Sequence, residues 1–502
     1  MSYLAIDVGT TGCKAKVIDP AGCIMSSAYR EYPLIHPRPG WSELDPELVW
    51  RQVKDTIREA AAHAKGNIRA LAVSAQGEAV VPLDRQGRVL DHSMVTFDTR
   101  ADEVLPMLMA RYSRAEIFNL TGMPPSGMYT LGKLLWLKER KREVFDRTWK
   151  FLCFEDYIHY KLGLPVLIDY SLAGKTMLLE VEGKKWAPSL LEFLDLKPEQ
   201  LAEPCPSGTI LGAIGPEIAV ALGLPKGLVA VAGAHDQAAA ALGAGVIDPG
   251  VGLDSTGTTE SIALISPRPI LTEGMLASNL PCYPYVLPET YLTVGFNLVA
   301  GALLQWFRDV LGGDEVRAAA VEGKAVYDVM MERASSAPSD VLVLPHFAFS
   351  GTPYCDGDSR GAVVGLTLST TRADLLKGFI EGATYAMKIN LKILNKLGFN
   401  PTELRAVGGG AKSRIWLQLK ADMFETKIVS LAIPDSACLG VAILSALALG
   451  DYHSAVEAVR AMVHVEETYL PDNAAASVYN ERLPMVERLY PAVKAVYHGF
   501  SS

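Results

Sequence analysis

Cysteine pairs, long apolar runs and an excess of basic charge are what this sequence lacks. The seven cysteines (Cys13, Cys23, Cys153, Cys205, Cys282, Cys355 and Cys438) are scattered, and no CxxC occurs. An odd, dispersed set argues against a disulfide scaffold and the common zinc spacings, so a reduced, cytoplasmic protein is expected. The most apolar stretch runs from Ala437 to Gly450. It is shorter than the roughly 20 residues a membrane span requires, so it reads as a buried core helix. The chain runs at once into Leu4-Ala5-Ile6, with no basic segment followed by an apolar one, and no secretory signal is expected. A net charge of −9 disfavours nucleic acid and anionic membranes, which reward a basic surface. A small anionic ligand stays open, because it needs only local donors. Standard nucleotide fingerprints are missing too. Ser413 stands where Gly408-Gly409-Gly410 would need the third glycine of GxGxxG. Asp169 stands where Gly174-Lys175-Thr176 would need the first glycine of a P-loop.

What is present is a pattern written twice. Leu4-Ala5-Ile6-Asp7-Val8-Gly9-Thr10-Thr11-Gly12 and Gly252-Leu253-Asp254-Ser255-Thr256-Gly257-Thr258-Thr259 each run from apolar residues through an acid into a Gly/Thr turn. That is a strand entering a hairpin whose N–H groups and hydroxyls can face an anion. With 502 residues the chain is too long for one core. Two like domains, 1–247 and 248–502, holding one polyphosphate between them is the expectation, with the boundary near Asp248-Pro249-Gly250.

The coarse reading alternates strands and helices, an α/β pattern in both halves. Hairpin strands are expected at 3–8 and 13–19. Asp45-Pro46 looks like an N-cap with proline at the first helical position. Trp50, Val53 and Ile57 follow it at helical spacing. Ala70–Ser74 reads as a buried strand, Leu131–Arg140 as a helix, and 165–225 as loops with short helices. Leu228–Ala232 reads as a strand that leads into His235-Asp236 and a small-residue helix. The second half repeats the order: hairpin strands over 252–265, helices near 296–311 and 372–397, a strand at 405–408 and a helix from about 413.

Asp236 is the candidate catalytic residue. A carboxylate at a strand end can project into a cleft and accept a proton from a hydroxyl. The plain alternative is a cap on the Ala-rich helix behind it. Asp7 either holds Mg²⁺ through water, beside phosphate oxygens, or caps its own turn. His235 is a base, a ligand or simply structural.

Taken in order, these segments resemble the FGGY family of carbohydrate kinases, within the actin/hexokinase superfamily, over nearly the whole chain. Asp7 to Gly12 is similar to the family's first phosphate loop and Thr256-Gly257-Thr258 to its second. Trp41-Ser42-Glu43 with Asp45-Pro46, and Lys133 to Leu137, match two further segments. Gly233 to Gln237 resembles the stretch that carries the family's catalytic aspartate, and Gly361 to Glu381 approximates a signature. Gly408 to Ser413 with Trp416 looks like the adenosine loop.

The resemblance implies two ribonuclease-H-like domains with a cleft between them, closing over ATP, Mg²⁺ and a small sugar or polyol. It implies Asp236 as the base and Asp7 with Asp236 as the metal carboxylates. Gly9, Thr10, Thr11, Lys14, Thr256, Gly257, Thr258, Gly409, Gly410 and Ser413 would meet the nucleotide. Gln76, Glu78, Asp98, Arg100, Asp236 and Gln237 would meet the acceptor.

The acceptor segment departs from near relatives. Gln76-Gly77-Glu78 stands where xylulokinases carry Met-His-Gly after the glutamine and glycerol kinases carry Arg-Glu. Glu78 would accept from substrate hydroxyls, and Gly77 would leave room. Asp98 and Arg100 keep polar positions or form a structural ion pair. The expected activity is phosphorylation of a sugar or polyol hydroxyl, a ketopentose such as xylulose first. Glycerol, erythritol, ribulose and sedoheptulose are rival acceptors. A nucleotide- or sugar-binding regulator without catalysis is the rival class. Family members often form homodimers, which the resemblance extends to this chain.

Overall fold

The computed structural model describes residues 1–64, 67–433 and 435–498. In the first half, β1 (Ser2–Val8), β2 (Gly12–Ile18) and β3 (Ile24–Glu31) form an antiparallel meander. Helix α1 (Pro46–His63) follows, and the Asp45 side chain caps it by accepting from Glu47 N–H. Next come β4 (Ile68–Ala75), helix α2 (Thr130–Arg140), β5 (Ile210–Ala213) and β6 (Val229–His235). The strands pair in the order β5-β6-β4-β1-β2-β3, with β1, β4 and β6 mutually parallel. Helix α3 (Asp236–Gly243) leaves the end of β6.

The second half repeats the plan. Its seven-stranded sheet places the hairpin β7 (Val251–Thr256) and β8 (Glu260–Ser266) beside β9 (Cys282–Pro284) and β10 (Tyr291–Asn297) on one side. After α4 (Gly301–Val310) and α5 (Arg372–Lys396), β11 (Glu403–Val407) pairs parallel to β7. Helix α6 (Arg414–Phe424), β12 (Lys427–Leu431), α7 (Ser436–Ala448) and β13 (Val465–Tyr469) complete it. β1, β4 and β6 are almost continuously apolar because both faces of a parallel sheet are covered.

Two details differ from the sequence reading. The helix expected from 296 begins at Gly301, because β10 runs to Asn297 and the Asn297 amide donates to Val299 O and turns the chain. Region 165–225 holds, besides helices, the short strands Leu167–Asp169, Glu203–Cys205 and Ile210–Ala213.

The expected core helix, α7, packs on β1, β4 and β6 of the first sheet and crosses α3. The crossing is made by glycines. A Cβ on Gly440 would lie 1.9 Å from Ala239 O, and one on Gly243 1.9 Å from Ser436 O. The residues after α7 stay with the first half: Tyr3 Oη donates to Asp451 at 2.7 Å. The chain of the second half therefore lends a helix to the core of the first, and α3 and α7 join the two sheets.

Candidate active site

β6 pairs with β4 in a register that shifts between Val231 and Ala234. Gly233 lies within that bulge, and a Cβ there would meet Val73 O at 1.8 Å. The buried Glu155 carboxyl accepts from Gly233 N–H at 2.7 Å and from Asp169 N–H at 3.1 Å. Asp169 in turn caps the helical turn Tyr170–Gly174. The bulge brings β6 to its end at His235, and Asp236 opens α3. Asp236 does not cap the helix from the N-cap position, which His235 occupies without a side-chain cap. Its Oδ1 accepts from Gln237 N–H at 2.6 Å. Burial first, then the charges of Asp7 and Glu78, push the Asp236 carboxyl up to about 7. A carboxyl so placed is a competent proton acceptor near neutral pH. His235 is driven down to about 3 by burial and by Lys175, so it is neutral.

The acceptor segment turns out to be tightly wired. Gln76 clamps the first hairpin: its amide donates to Gly9 O at 3.2 Å, and Thr10 Oγ1 donates to its Oε1 at 3.1 Å. Glu78 has φ of 66°, an unusual value for a side chain of its size. Its carbonyl accepts from Thr130 Oγ1 at 2.9 Å and Lys133 Nζ at 3.2 Å, both on α2, which hold that backbone in place. Its carboxylate accepts from Lys175 Nζ and Thr96 Oγ1, each at 2.8 Å. Burial works against the charged form, but Lys175 overrides it and the carboxyl stays below its ordinary value. The room expected at Gly77 is filled: a Cβ there would sit 2.9 Å from His235 Nε2 and 3.5 Å from Lys175 Cβ. Asp98 and Arg100 form the ion pair named as the alternative to a sugar contact. Arg100 Nη2 lies 2.6 Å from Asp98 Oδ2, Nη1 lies 2.7 Å from Glu43, and the guanidinium sits 3.7 Å over the Trp41 ring. Asp98 also accepts from Ser42 N–H at 2.6 Å. Both residues are buried and hold the 41–43 segment against the sheet.

The two hairpins differ in their wiring. Asp7 accepts from Ser74 Oγ at 2.9 Å and remains half-buried. Burial raises its carboxyl. Lys14 and Lys16 reach Asp435, just before α7, at 3.1 and 2.9 Å. In the second hairpin Lys420 of α6 donates to Asp254 at 2.6 Å and Thr256 Oγ1 at 2.5 Å and forms an ion pair with Glu260 at 2.7 Å, all fully buried. Thr256 is also the floor for the glycine loop. A Cβ on Gly408 would meet Thr256 O, and one on Gly410 would meet its Cγ2, each at 2.6 Å. Gly257 and Gly409 face open space. Ser413 caps α6 through Trp416 N–H at 3.3 Å. Ser261 Oγ donates to Gln237 Oε1 at 3.0 Å and ties α3 to the second hairpin.

The comparisons with known proteins agree with this layout. The model of the N-terminal domain of the FGGY family of carbohydrate kinases matches residues 2–243, and that of its C-terminal domain matches residues 253–449. The chain belongs to the FGGY family of carbohydrate kinases. It is 28% identical over 499 residues to a xylulose kinase of Staphylococcus epidermidis, covering 98% of this chain and 97% of that one. It is 27% identical over 488 residues to a gluconokinase of Bacillus subtilis, covering 96% and 94%. The ligand-bound xylulose kinase from Lactobacillus acidophilus superposes with a TM-score of 0.91 at 27% identity, over 99% of both chains.

As an FGGY kinase the protein is a phosphotransferase that acts on a carbohydrate hydroxyl. Sequence reasoning passed over several residues of these networks. Lys175 carried a signal, as part of the fragment Gly174-Lys175-Thr176, but it serves Glu78 and not a phosphate loop. Asp435 precedes a small-residue helix, a visible start signal. Lys420, Glu260 and Glu155 carry no local signal, since an isolated charge in an apolar pattern does not reveal its partner.

Proposed function

We propose that this FGGY kinase transfers the γ-phosphoryl group of ATP to a hydroxyl of a small neutral ketose, a ketopentose such as xylulose first. The ion pair of Lys175 with Glu78 carries the reading. A carboxylate-bearing acceptor such as an aldonate needs a free cation to receive it. Lys175, whose charge reaches Asp236, is already engaged by Glu78 at 2.8 Å. Glu78 and Asp236 leave acceptors for hydroxyl donors, which suits a polyhydroxylated, uncharged ligand.

In the proposed step the Asp236 carboxylate takes the proton of the attacking hydroxyl. The oxygen forms its bond to the γ-phosphorus as the bond to the β,γ-bridging oxygen breaks, and ADP leaves. Little covalent chemistry is required of the protein, so positioning and charge neutralisation supply most of the rate. Asp7 and Asp236 fit Mg²⁺: they are two hard oxygen donors whose charges disfavour each other. When bound, the ion would neutralise phosphate charge. Hairpin N–H groups at 9–12 and 256–258 would face the phosphates, and Gly409, Gly410 and Ser413 the adenosine side. The division near 247–248 is supported by the family models, which end at 243 and resume at 253. Seven unpaired cysteines support a reducing, cytoplasmic setting.

ADP release measured against neutral ketoses, polyols and aldonates tests the reading. A ketose should give the highest kcat/KM. An aldonate that outruns every neutral compound would refute it.

A further inference from the structure

We propose that Glu155 is a positioning residue that sets the strand bearing Asp236 and the turn leading to Lys175 in one register. The inference rests on the reading of Asp236 as the base.

Glu155 lies in the first turn of the helix Phe154–Lys161 and is fully buried. Its two oxygens are divided between two elements. Oε1 accepts from Gly233 N–H at 2.7 Å, and Oε2 accepts from Asp169 N–H at 3.1 Å. Gly233 lies in the bulge of β6, and a bulge near a strand end re-aims the residues that follow, here His235 and Asp236. Asp169 starts the other arm. Its carboxylate accepts from Ser171 N–H at 2.7 Å, Leu172 N–H at 3.0 Å and Ser207 Oγ at 2.7 Å, which fixes the turn Tyr170–Gly174. That turn leads directly to Lys175, the partner of Glu78. It also returns to β6, because Ser171 Oγ accepts from His235 N–H at 3.0 Å. A closed ring therefore runs from Glu155 to Gly233, along β6 to His235, and back through Ser171 and Asp169. Asp236 follows the strand out of this ring, and Lys175 follows the turn.

The ring is costly. Glu155 and Asp169 are both fully buried, and the charges that act on Glu155 are those of other acids. Buried acids without a cation destabilise a fold, and departures of this kind gather at functional sites. The residue type is also specific. Only a carboxylate offers an acceptor to each of two N–H groups, whereas an amide offers one and turns a donor to the other. Glu155→Gln therefore breaks one arm at nearly constant shape.

The test is steady-state kinetics of the full-length protein with ATP, Mg²⁺ and whichever acceptor of the ketose, polyol and aldonate panel turns over fastest, with urea unfolding of each variant alongside. Glu155→Gln is expected to lower kcat per folded molecule by roughly 10- to 100-fold, with the KM for ATP within about twofold of wild type. Ser171→Ala removes the acceptor of His235 N–H and should lower kcat by roughly three- to tenfold. The double variant should lose less than the product of the two, since both substitutions open the same ring. If Glu155→Gln keeps wild-type kcat while Asp236→Asn is inactive, Glu155 is merely structural: the positioning role is overturned and the base reading stands. If Asp236→Asn stays active, the base reading falls and the inference with it. Losses that multiply in the double variant, or a KM for ATP that rises as kcat falls, would also overturn the role. If Glu155→Gln does not fold, Ser171→Ala carries the test, and wild-type kcat in that variant overturns the inference.

Discussion

Asp7 and Asp254 occupy equivalent places in two hairpins of one pattern, and the fold treats them oppositely. Asp7 sits between Lys14 on β2 and Ser74 on β4 in the strand register. Its two nearby lysines are drawn off by Asp435, and the acid stays half-buried with a serine as its hydrogen-bond donor. Asp254 is fully buried and locked with Glu260 around Lys420. A strand that leads through an acid into a Gly/Thr turn therefore forms the same hairpin in both halves. Whether the acid is available for chemistry depends on which cation the neighbouring helix brings. In the proposed reading the first hairpin serves the reaction and the second serves rigidity.

The largest expected effect lies on the reactive side. Asp236→Asn should reduce kcat by about 10²–10⁴-fold while ATP binding persists, as kinetics and calorimetry would show. On the rigid side, Lys420→Met leaves two buried carboxylates without their cation. It should cost about 3–5 kcal/mol of stability, read from urea unfolding. Equal stability in that variant would remove the contrast between the hairpins.

A smaller effect separates acceptor binding from the base. Glu78→Gln should raise the acceptor KM by roughly tenfold, the loss of one charged hydrogen bond. Asp236 is raised, so it is protonated below about 7, and kcat/KM should fall as pH drops through that value. With Glu78 neutral and Lys175 unpaired, that acidic limb should move to lower pH. A limb that stays put or rises would mean that Glu78 does not act on Asp236. The smallest effect is Gly410→Ala, whose Cβ would press on Thr256. The KM for ATP should rise roughly three- to tenfold with kcat nearly unchanged.

Much of this was legible in the sequence, for local reasons. The hairpins, the Asp45 cap, the α/β order and the position of Asp236 all follow from short-range signals: apolar runs, turn residues and proline. The partners were not legible, because pairing is long-range. Gly77 looked like spare room and is filled by His235 from a strand far along the chain. Asp98 and Arg100 looked like sugar contacts or an ion pair, and only the packed structure shows Trp41 and Glu43 completing the pair. Helix α7 read as core from composition alone, yet nothing in its sequence indicated that it packs on the first sheet.

Kinetics of Asp7→Asn beside Asp254→Asn, at varied Mg²⁺, test the contrast most directly. We expect Asp7→Asn to lose turnover and raise the Mg²⁺ requirement at unchanged stability, while Asp254→Asn loses stability and keeps most of its turnover. Equal kinetic damage in both variants, or greater damage in Asp254→Asn, would contradict the division of roles.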